Sequence, residues 1–575
     1  MALIECPYCG NRISNLAPLC IYCGCNIGDA DENTMYEIKN NTLIKYHGNR
    51  EVISIPGGVT AIARGAFDGA VTLKKVIIDN GISSISDFAF INCSFLEEII
   101  IGDSVTQIGF KAFSGCVSLK EVIFSNRITS IPDRAFEGCI SLERVIIPEG
   151  VETIGKGAFT NCTSLKTIKL PNSLVSLGFE SFSGCTSLES ITFGDNLITI
   201  NGRSFMNCTS LQDVVCPNKL NTINEEAFLG CKSLKEIALN KSLMSIGLMA
   251  FSECTSLQSI SVPANVNSIG IQAFYGCSSL KSVELFEGLR NIGSEAFKNC
   301  MNIEYIKLPS TIRVVGYEVF AECPSLKEID ISSVENWCSV DFSVAKSNST
   351  PYKKMISVNG KIVRNLTING KIANIRSAAF ANCTEISTLK IEEGVSSIGA
   401  YTFMNCLNLS SLELPNSLTT IEKMAFCNCP SLKEIIVPDS VSSLSTDAFG
   451  LCTGLESVKI GNGIRTLEAL TFEGCSALKH VALGKETTYV GRGAFLGCSS
   501  LQSVVVHKSL SSISAGAVEG CVSLKSIFFE YAQEEMPRIL IGENPELDNA
   551  DFYFYSESPV PNCWHYDENG EIEIW

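Results

Sequence analysis

The residues with the clearest chemical capacity are four cysteines near the start of the chain, in Cys6-Pro7-Tyr8-Cys9-Gly10 and Cys20-Ile21-Tyr22-Cys23-Gly24. Two Cys-x-x-Cys knuckles ten residues apart place four thiolates where they close a tetrahedral cage. For zinc the metal–sulfur bonds of such a cage are about 2.3 Å. Glycine after the second cysteine of each pair frees the turn that brings backbone amides toward the sulfurs. With all four positions filled, the site is structural and not catalytic. A segment this small has little core, so the metal supplies its folding energy. One structural zinc on Cys6, Cys9, Cys20 and Cys23 is the expectation. Iron in the same cage and a dithiol redox pair are the alternatives. Cys25 reads as a bystander, and Asp29-Ala30-Asp31-Glu32-Asn33 as a short acidic linker.

Behind the knuckles lies a different kind of sequence. A 23-residue unit recurs nineteen times, clearest as Val151-x-x-Ile154-Gly155-x-x-Ala158-Phe159-x-x-Cys162-x-Ser164-Leu165-x-x-Ile168-x-Leu170-Pro171. Its Phe slot runs from Phe67 to Phe320, then from Phe380 to position 518, where valine replaces it. A strict period in this range marks a solenoid, whose coils bury their apolar faces only against their neighbours. Leu165-x-x-Ile168-x-Leu170 reads as a short strand, stacked parallel on its equivalents. Val151, Ile154, Ala158 and Phe159 fill the interior from the opposite side, the Ala-Phe pair in a tight helical or 3₁₀ turn. Glycines at 109, 155 and 178 read as turn positions.

Of 27 cysteines, eighteen sit three residues after the Phe slot. A small, weakly polar thiol suits a buried slot, and Ala70 fills it in the first full unit. A redox or metal ladder needs cationic neighbours, which the flanking Ser and Thr do not supply. Packing is therefore the preferred reading.

Catalytic patterns are not found. His47, His480, His507 and His565 are scattered, and the glycines follow the 23-residue period instead of a phosphate-cradling motif. A net charge of −17 disfavours nucleic acid and anionic membranes, and Arg12 is the sole basic residue through Asn33. No basic leader and no run of roughly 18 apolar residues is visible. A cytoplasmic protein is expected, with display at the cell surface by an unrecognised export route as the alternative.

The combination Ile-Gly-x-x-Ala-Phe-x-x-Cys-x-Ser-Leu-x-x-Ile-x-Leu-Pro resembles the Treponema-type, or BspA-like, leucine-rich repeat, from about residue 35 onward. Glu335-Asn336-Trp337-Cys338 and Trp564-His565-Tyr566 also look like features of that group. The first segment is similar to small zinc ribbons placed at the front of bacterial proteins. The resemblance implies curved solenoids, mostly bacterial, often displayed for adhesion to host or microbial partners, with no shared catalytic residues. The expected fold is a leucine-rich-repeat solenoid with a parallel β-sheet on one face, short 3₁₀ or helical turns and loops on the other, and a small zinc ribbon at the N-terminus.

The expected divisions are a zinc ribbon over 1–28, an acidic linker over 29–34 and an N-terminal cap over 35–60. A first repeat array over 61–331, an insertion with a hairpin over 332–372, a second array over 373–529 and a C-terminal cap over 530–575 follow. Within Leu-x-x-Ile-x-Leu the third and fifth positions face outward. The fifth-position column opens Ile77, Ile100, Ile123, Ile146, turns mostly polar from Lys169, and closes Ala482, Val505, Phe528. Four adjacent outward isoleucines, flanked by third-position Lys75, Glu98, Glu121 and Arg144, point to a protein-binding stripe. Burial of the stripe by the cap, the ribbon or sheet curvature is the competing reading. The expected function is a non-catalytic protein–protein interaction scaffold, with a bacterial surface adhesin as the alternative.

Overall fold

The structure is a computed structural model describing residues 3–5, 12–14, 35–342, 355–567 and 572–575. It divides into two compact units, Met1–Pro263 with Gly276–Ser278, and Ala264–Tyr275 with Ser279–Trp575. Both are stacks of the same coil, built almost entirely from strands and turns.

In the first unit the Leu-x-x-Ile-x-Leu segments form the expected long strands, among them Lys75–Ile78, Glu98–Ile101, Glu121–Ile123 and Arg144–Ile146. Each pairs in parallel with the strand one repeat on: Val76 opposes Ile99, Ile99 opposes Val122 and Val122 opposes Val145. A constant 23-residue step forces this register, because slipping by one residue would turn the buried row outward. The interior residues of the representative coil, Val151, Ile154, Ala158, Phe159 and Leu165, are all within 2% of full burial. Phe rings from Phe67 to Phe251 lie one above another, with centroids 4.4 to 5.6 Å apart and planes within 16°. Each such contact adds about 0.5–1.5 kcal/mol beyond its buried area.

The opposite side differs from the expected 3₁₀ or helical turns and loops. It carries a second parallel ladder of two-residue strands, such as Thr153–Ile154, Ser176–Leu177 and Thr199–Ile200, followed by hydrogen-bonded turns around Ala-Phe. The reason is a pair of left-handed residues per coil. Lys111, Arg134 and Glu180, two before the Phe slot, have φ of 53°, 54° and 60°, while Asn161 and Asn207, two after it, have φ of 59°. Left-handed residues four apart stop any helix from propagating. The turn amides bond to the next coil instead, as in Phe67 N–H to Ala89 O at 2.8 Å and Phe90 N–H to Ala112 O at 2.7 Å.

The glycines at 109 and 155 also have a different cause. They do not sit at these left-handed positions; a Cβ on Gly109 would stand 2.3 Å from Asp87 N, and one on Gly155 2.5 Å from Asp133 N. Coil-to-coil approach, not turning, requires them.

The first coil is closed by an antiparallel hairpin, Tyr36–Lys39 with Thr42–Tyr46, turned at Asn40 and Asn41 with φ of 49° and 58°. It joins the short ladder through Thr42 opposite Ala61 and extends the aromatic column, Tyr46 lying 5.3 Å from Phe67. In the second unit the insertion forms the helix Val334–Cys338, capped by the Ser333 side chain. Trp337 Nε1 donates to Ala379 O at 2.7 Å, tying the helix to the resumed repeats. Met355–Val358 enters the long ladder beside Glu328–Ile331 and turns back into Lys361–Ile362 through Asn359 and Gly360, φ 52° and 71°. Both positive φ values fit the type I′ turn that Asn-Gly implies. Phe380 to Phe495 then resume the column at 5.2 to 5.8 Å. The repeats close on Asp551–Tyr555, Cys563–Tyr566 and Ile572–Ile574, which extend the same sheet.

Candidate functional site

The long ladder presents its third and fifth positions outward. In Arg144–Ile146 the burial alternates exposed, buried, exposed. Register then builds the stripe: Ile77 opposes Ile100, Ile100 opposes Ile123 and Ile123 opposes Ile146. Ile123 and Ile146 are 44% and 48% exposed, while Ile77 and Ile100 are half-buried. One side is rimmed by charge pairs on neighbouring strands, Lys75 with Glu98 at 2.9 Å and Arg144 with Glu121 at 3.4 Å. Lys120 holds the Glu97 carboxyl below its ordinary range through a 2.6 Å bond. A shallow depression follows the isoleucines and is completed by Asp79, Asn80, Asp103 and Asn126 downstream of the strands. The stripe is thus a contiguous apolar surface between a self-neutralised rim and an acidic edge.

In the second unit the equivalent outward residues near the end of the repeats are covered. Val505 and Phe528 are 8% and 6% exposed. Trp564, fully buried, packs on both, with Ala482, Tyr555 and Ile572 around it, and its Nε1 donates to Phe529 O at 3.1 Å. The last strands therefore curl back over the outward face. Asp330, also in this column, is buried and accepts from Ser357 Oγ and Gly360 N at 2.9 Å each, anchoring the insertion hairpin. Ile436, which the sequence reading left out of the column, is 65% exposed. Its place at Leu-x-x-Ile-x-Leu position five was the signal.

The cysteine column has a hydrogen-bonding role that composition did not reveal. Thiols of the column donate to the carbonyl of the Phe slot in the preceding coil, as in Cys116 to Phe90 at 3.1 Å, Cys162 to Phe136 at 3.3 Å and Cys498 to Phe472 at 3.2 Å; Cys383, the first after the insertion, is directed to Ala381 O instead. Burial pushes Cys139, Cys185 and Cys231 up to about 12, far from the thiolate character that reactivity requires.

The proposed metal ligands Cys6, Cys9, Cys20 and Cys23 lie outside the described residues. Of the residues flanking the first knuckle in sequence, Leu3–Glu5 and Arg12–Ser14 are described and pair antiparallel, Glu5 opposite Arg12. Among the described residues, no group of three or more His, Cys, Asp or Glu is placed to hold a metal, and no helix is long and apolar enough to cross a membrane. His480 and His507 do not meet. His480 Nδ1 lies 2.8 Å from Ser503 Oγ, and His507 pairs with Glu530. No described carboxylate bonds His480, so this Ser–His contact lacks the orienting acid of a triad.

No curated protein matches the chain. Among solved structures, a leucine-rich repeat protein from Bacteroides ovatus is similar at 22% identity, covering 83% of this chain and 93% of its own, with a TM-score of 0.39. A leucine rich cell surface protein from Faecalibacterium prausnitzii is similar at 19% identity, covering 87% and 94%, TM-score 0.22. The pneumococcal vaccine antigen PcpA is similar at 17% identity, covering 88% and 91%, TM-score 0.28. The family described as BspA type Leucine rich repeat region (6 copies) matches residues 37–165, 129–258, 244–357, 357–478 and 420–540. With its repeats matched from residue 37 to residue 540, this chain belongs to the BspA type leucine-rich repeat family.

Proposed function

We propose that the protein is a non-catalytic binding scaffold that docks a protein partner on Ile77, Ile100, Ile123 and Ile146. The carrying observation is the in-register, partly exposed row of four isoleucines beside a charge-paired rim. Soluble surfaces rarely leave such a row bare, and an apolar centre with a polar border is the anatomy of an interface. Pull-down from lysate of the source cells, with cross-linking mass spectrometry to locate contacts, tests this. Cross-links at the stripe that vanish in Ile100→Glu/Ile123→Glu support it; equal capture by wild type and variant overturns it.

The first segment is read as a ribbon closed by one structural zinc on Cys6, Cys9, Cys20 and Cys23. The antiparallel pairing of Leu3–Glu5 with Arg12–Ser14, the segments on either side of the first knuckle in sequence, supports this. Metal analysis of the purified chain should give one zinc per chain, lost in Cys20→Ser/Cys23→Ser; iron, or no metal, sinks the reading.

A cytoplasmic setting is favoured by the many free, buried thiols. Protease shaving of intact cells distinguishes it from surface display. Peptides released before lysis would make adhesion the function instead.

A further inference from the structure

A second groove lies within the second unit, where the closing hairpin stops short of covering the outward sheet face. Its floor is made by Glu434–Ile436, Ser457–Lys459, His480–Ala482, Ser503–Val506 and Ser526–Phe529, and its wall by Tyr566, Ile572 and Ile574. The hairpin covers the Val505 and Phe528 end through Trp564 and Ile572. Beyond it, Ile436 stands 65% exposed, Lys459 and His480 are exposed, and Ala482 is half-buried. At about 4.8 Å per strand, the open strands Glu434–Ile436 and Ser457–Lys459 with the partly covered His480–Ala482 amount to roughly 10 Å of sheet, room for one more strand above them.

The hairpin edge is set up to receive that strand. Cys563–Tyr566 pairs antiparallel with Ile572–Ile574, Tyr566 opposite Ile572 and Trp564 opposite Ile574. Trp575 N–H bonds Cys563 O at 2.9 Å, while Trp564 O accepts from Ser556 N on the other side. Hydrogen-bonded pairs alternate along an antiparallel ladder. Those inside the hairpin are therefore Cys563 with Trp575 and His565 with Glu573. Ile572 and Ile574 turn their N–H and C=O groups away from it, and Ile572–Ile574 is the last strand of its sheet.

The charges select the occupant. In a chain of net charge −17, Glu434 is the one carboxylate lining the groove among the described residues, against Lys459, Lys525 and His480. Among the described residues neither Lys459 nor Lys525 makes an ion pair, whereas nearby Lys433 and Lys479 are both held by Glu456, at 3.6 and 2.8 Å. The chain's own wall strand shows the side-chain pattern that fits: alternate isoleucines, Ile572 and Ile574, lie against the groove, and Glu573 between them is exposed.

We propose that this groove binds an extended peptide of alternating acidic and apolar residues, which adds as a strand to the free edge of Ile572–Ile574. Its apolar side chains rest on Ala482 and Ile436. The long stems of Lys459 and Lys525 carry their ammonium groups to its carboxylates. Main-chain hydrogen bonds to Ile572 and Ile574 supply affinity and the lysines supply sign selectivity. The site does not rest on the isoleucine stripe at the other end of the chain.

The test is fluorescence anisotropy of the full chain with a labelled peptide Glu-Ile-Glu-Val-Glu-Ile-Glu and a counterpart with Lys in place of Glu. The acidic peptide should bind and the basic one should bind at least about tenfold more weakly. Ile574→Pro, which removes one edge donor at a half-exposed position, should weaken the acidic peptide about tenfold. Lys459→Glu/Lys525→Glu should reverse the preference. Near-ultraviolet circular dichroism of Trp564 reports that each variant keeps its fold. Absence of binding, equal binding of both peptides, or an Ile574→Pro variant that binds as well as wild type while folded would each overturn the proposal. Ile100→Glu/Ile123→Glu should leave this binding unchanged, which separates it from the stripe.

Discussion

The outward fifth position of the repeat carries apolar residues in the first coils of the first unit and in the last coils of the second, and the two sets meet different fates. At the start, Ile123 and Ile146 lie open on the sheet, 44% and 48% exposed, with Ile77 and Ile100 half-buried beside them. At the finish, Val505 and Phe528 occupy the same position of the repeat but are 8% and 6% exposed, because Trp564 sits on them. The opening hairpin, Tyr36–Lys39 with Thr42–Tyr46, extends the short ladder and so covers the end of the stack without covering its face. The closing strands extend the long ladder and curl over that face. The difference teaches that an apolar outward row in a repeat protein is not by itself a binding surface. Which ladder the cap joins determines whether the row stays available.

The largest expected effect removes the contrast by acting on both ends at once. Burial raises the folded pKa of Cys139, Cys185 and Cys231 in the column from 9.0 to about 12. A raised thiol pKa means that the folded state holds protons which the unfolded state releases. The stability contributed by these thiols is complete below pH 9 and falls as pH rises toward 12, by about 1.4 kcal/mol per pH unit per thiol. Urea midpoints measured from pH 8 to 11 should therefore drop steeply above 9; a flat profile would refute the buried-thiol ladder.

Trp564→Ala separates the ends. It strips the cover from Phe528 and Val505 and should cost about 3–5 kcal/mol, read as a lower urea midpoint for the second unit with new hydrophobic-dye binding. Cross-links at the isoleucine stripe should be untouched. An unchanged melt would mean that the tryptophan does not hold the closing strands down.

Ile100→Glu/Ile123→Glu gives the smallest effect on stability. Ile123 faces water and Ile100 is half-buried, so the pair should shift the melt by no more than about 1 kcal/mol while removing partner capture. A loss of several kcal/mol would show that the stripe is structural.

Much of this was legible because period and burial are local. Leu165, Ile168, Phe159 and Cys162 repeat every 23 residues, and the same spacing fixes strand register and the Phe column. The Asn359-Gly360 turn followed from the conformational preference of those two residues. The segment around Ala-Phe, expected as a tight helical or 3₁₀ turn, forms isolated turns with i→i+3 bonds and no helix, because a left-handed Lys111 or Arg134 carries no compositional mark; only the backbone shows it. Gly109 and Gly155 were assigned to turning when their constraint lies in the backbone of the coil next door. The thiol bonds were missed for a similar reason, since the acceptor of Cys116 is Phe90 O, 26 positions away.

The amino-acid sequence by itself determined the coil, its stacking and which positions face outward, because a repeated unit meets the same neighbours each time and one pattern solves every layer. Tertiary structure alone decided which outward residues are available. Ile146 and Phe528 occupy equivalent places in the repeat, and the repeat contains nothing that tells them apart. What distinguishes them is a non-repeating segment, Cys563–Tyr566, that folds back across the sheet because burying Trp564 against Phe528 removes both apolar surfaces from water.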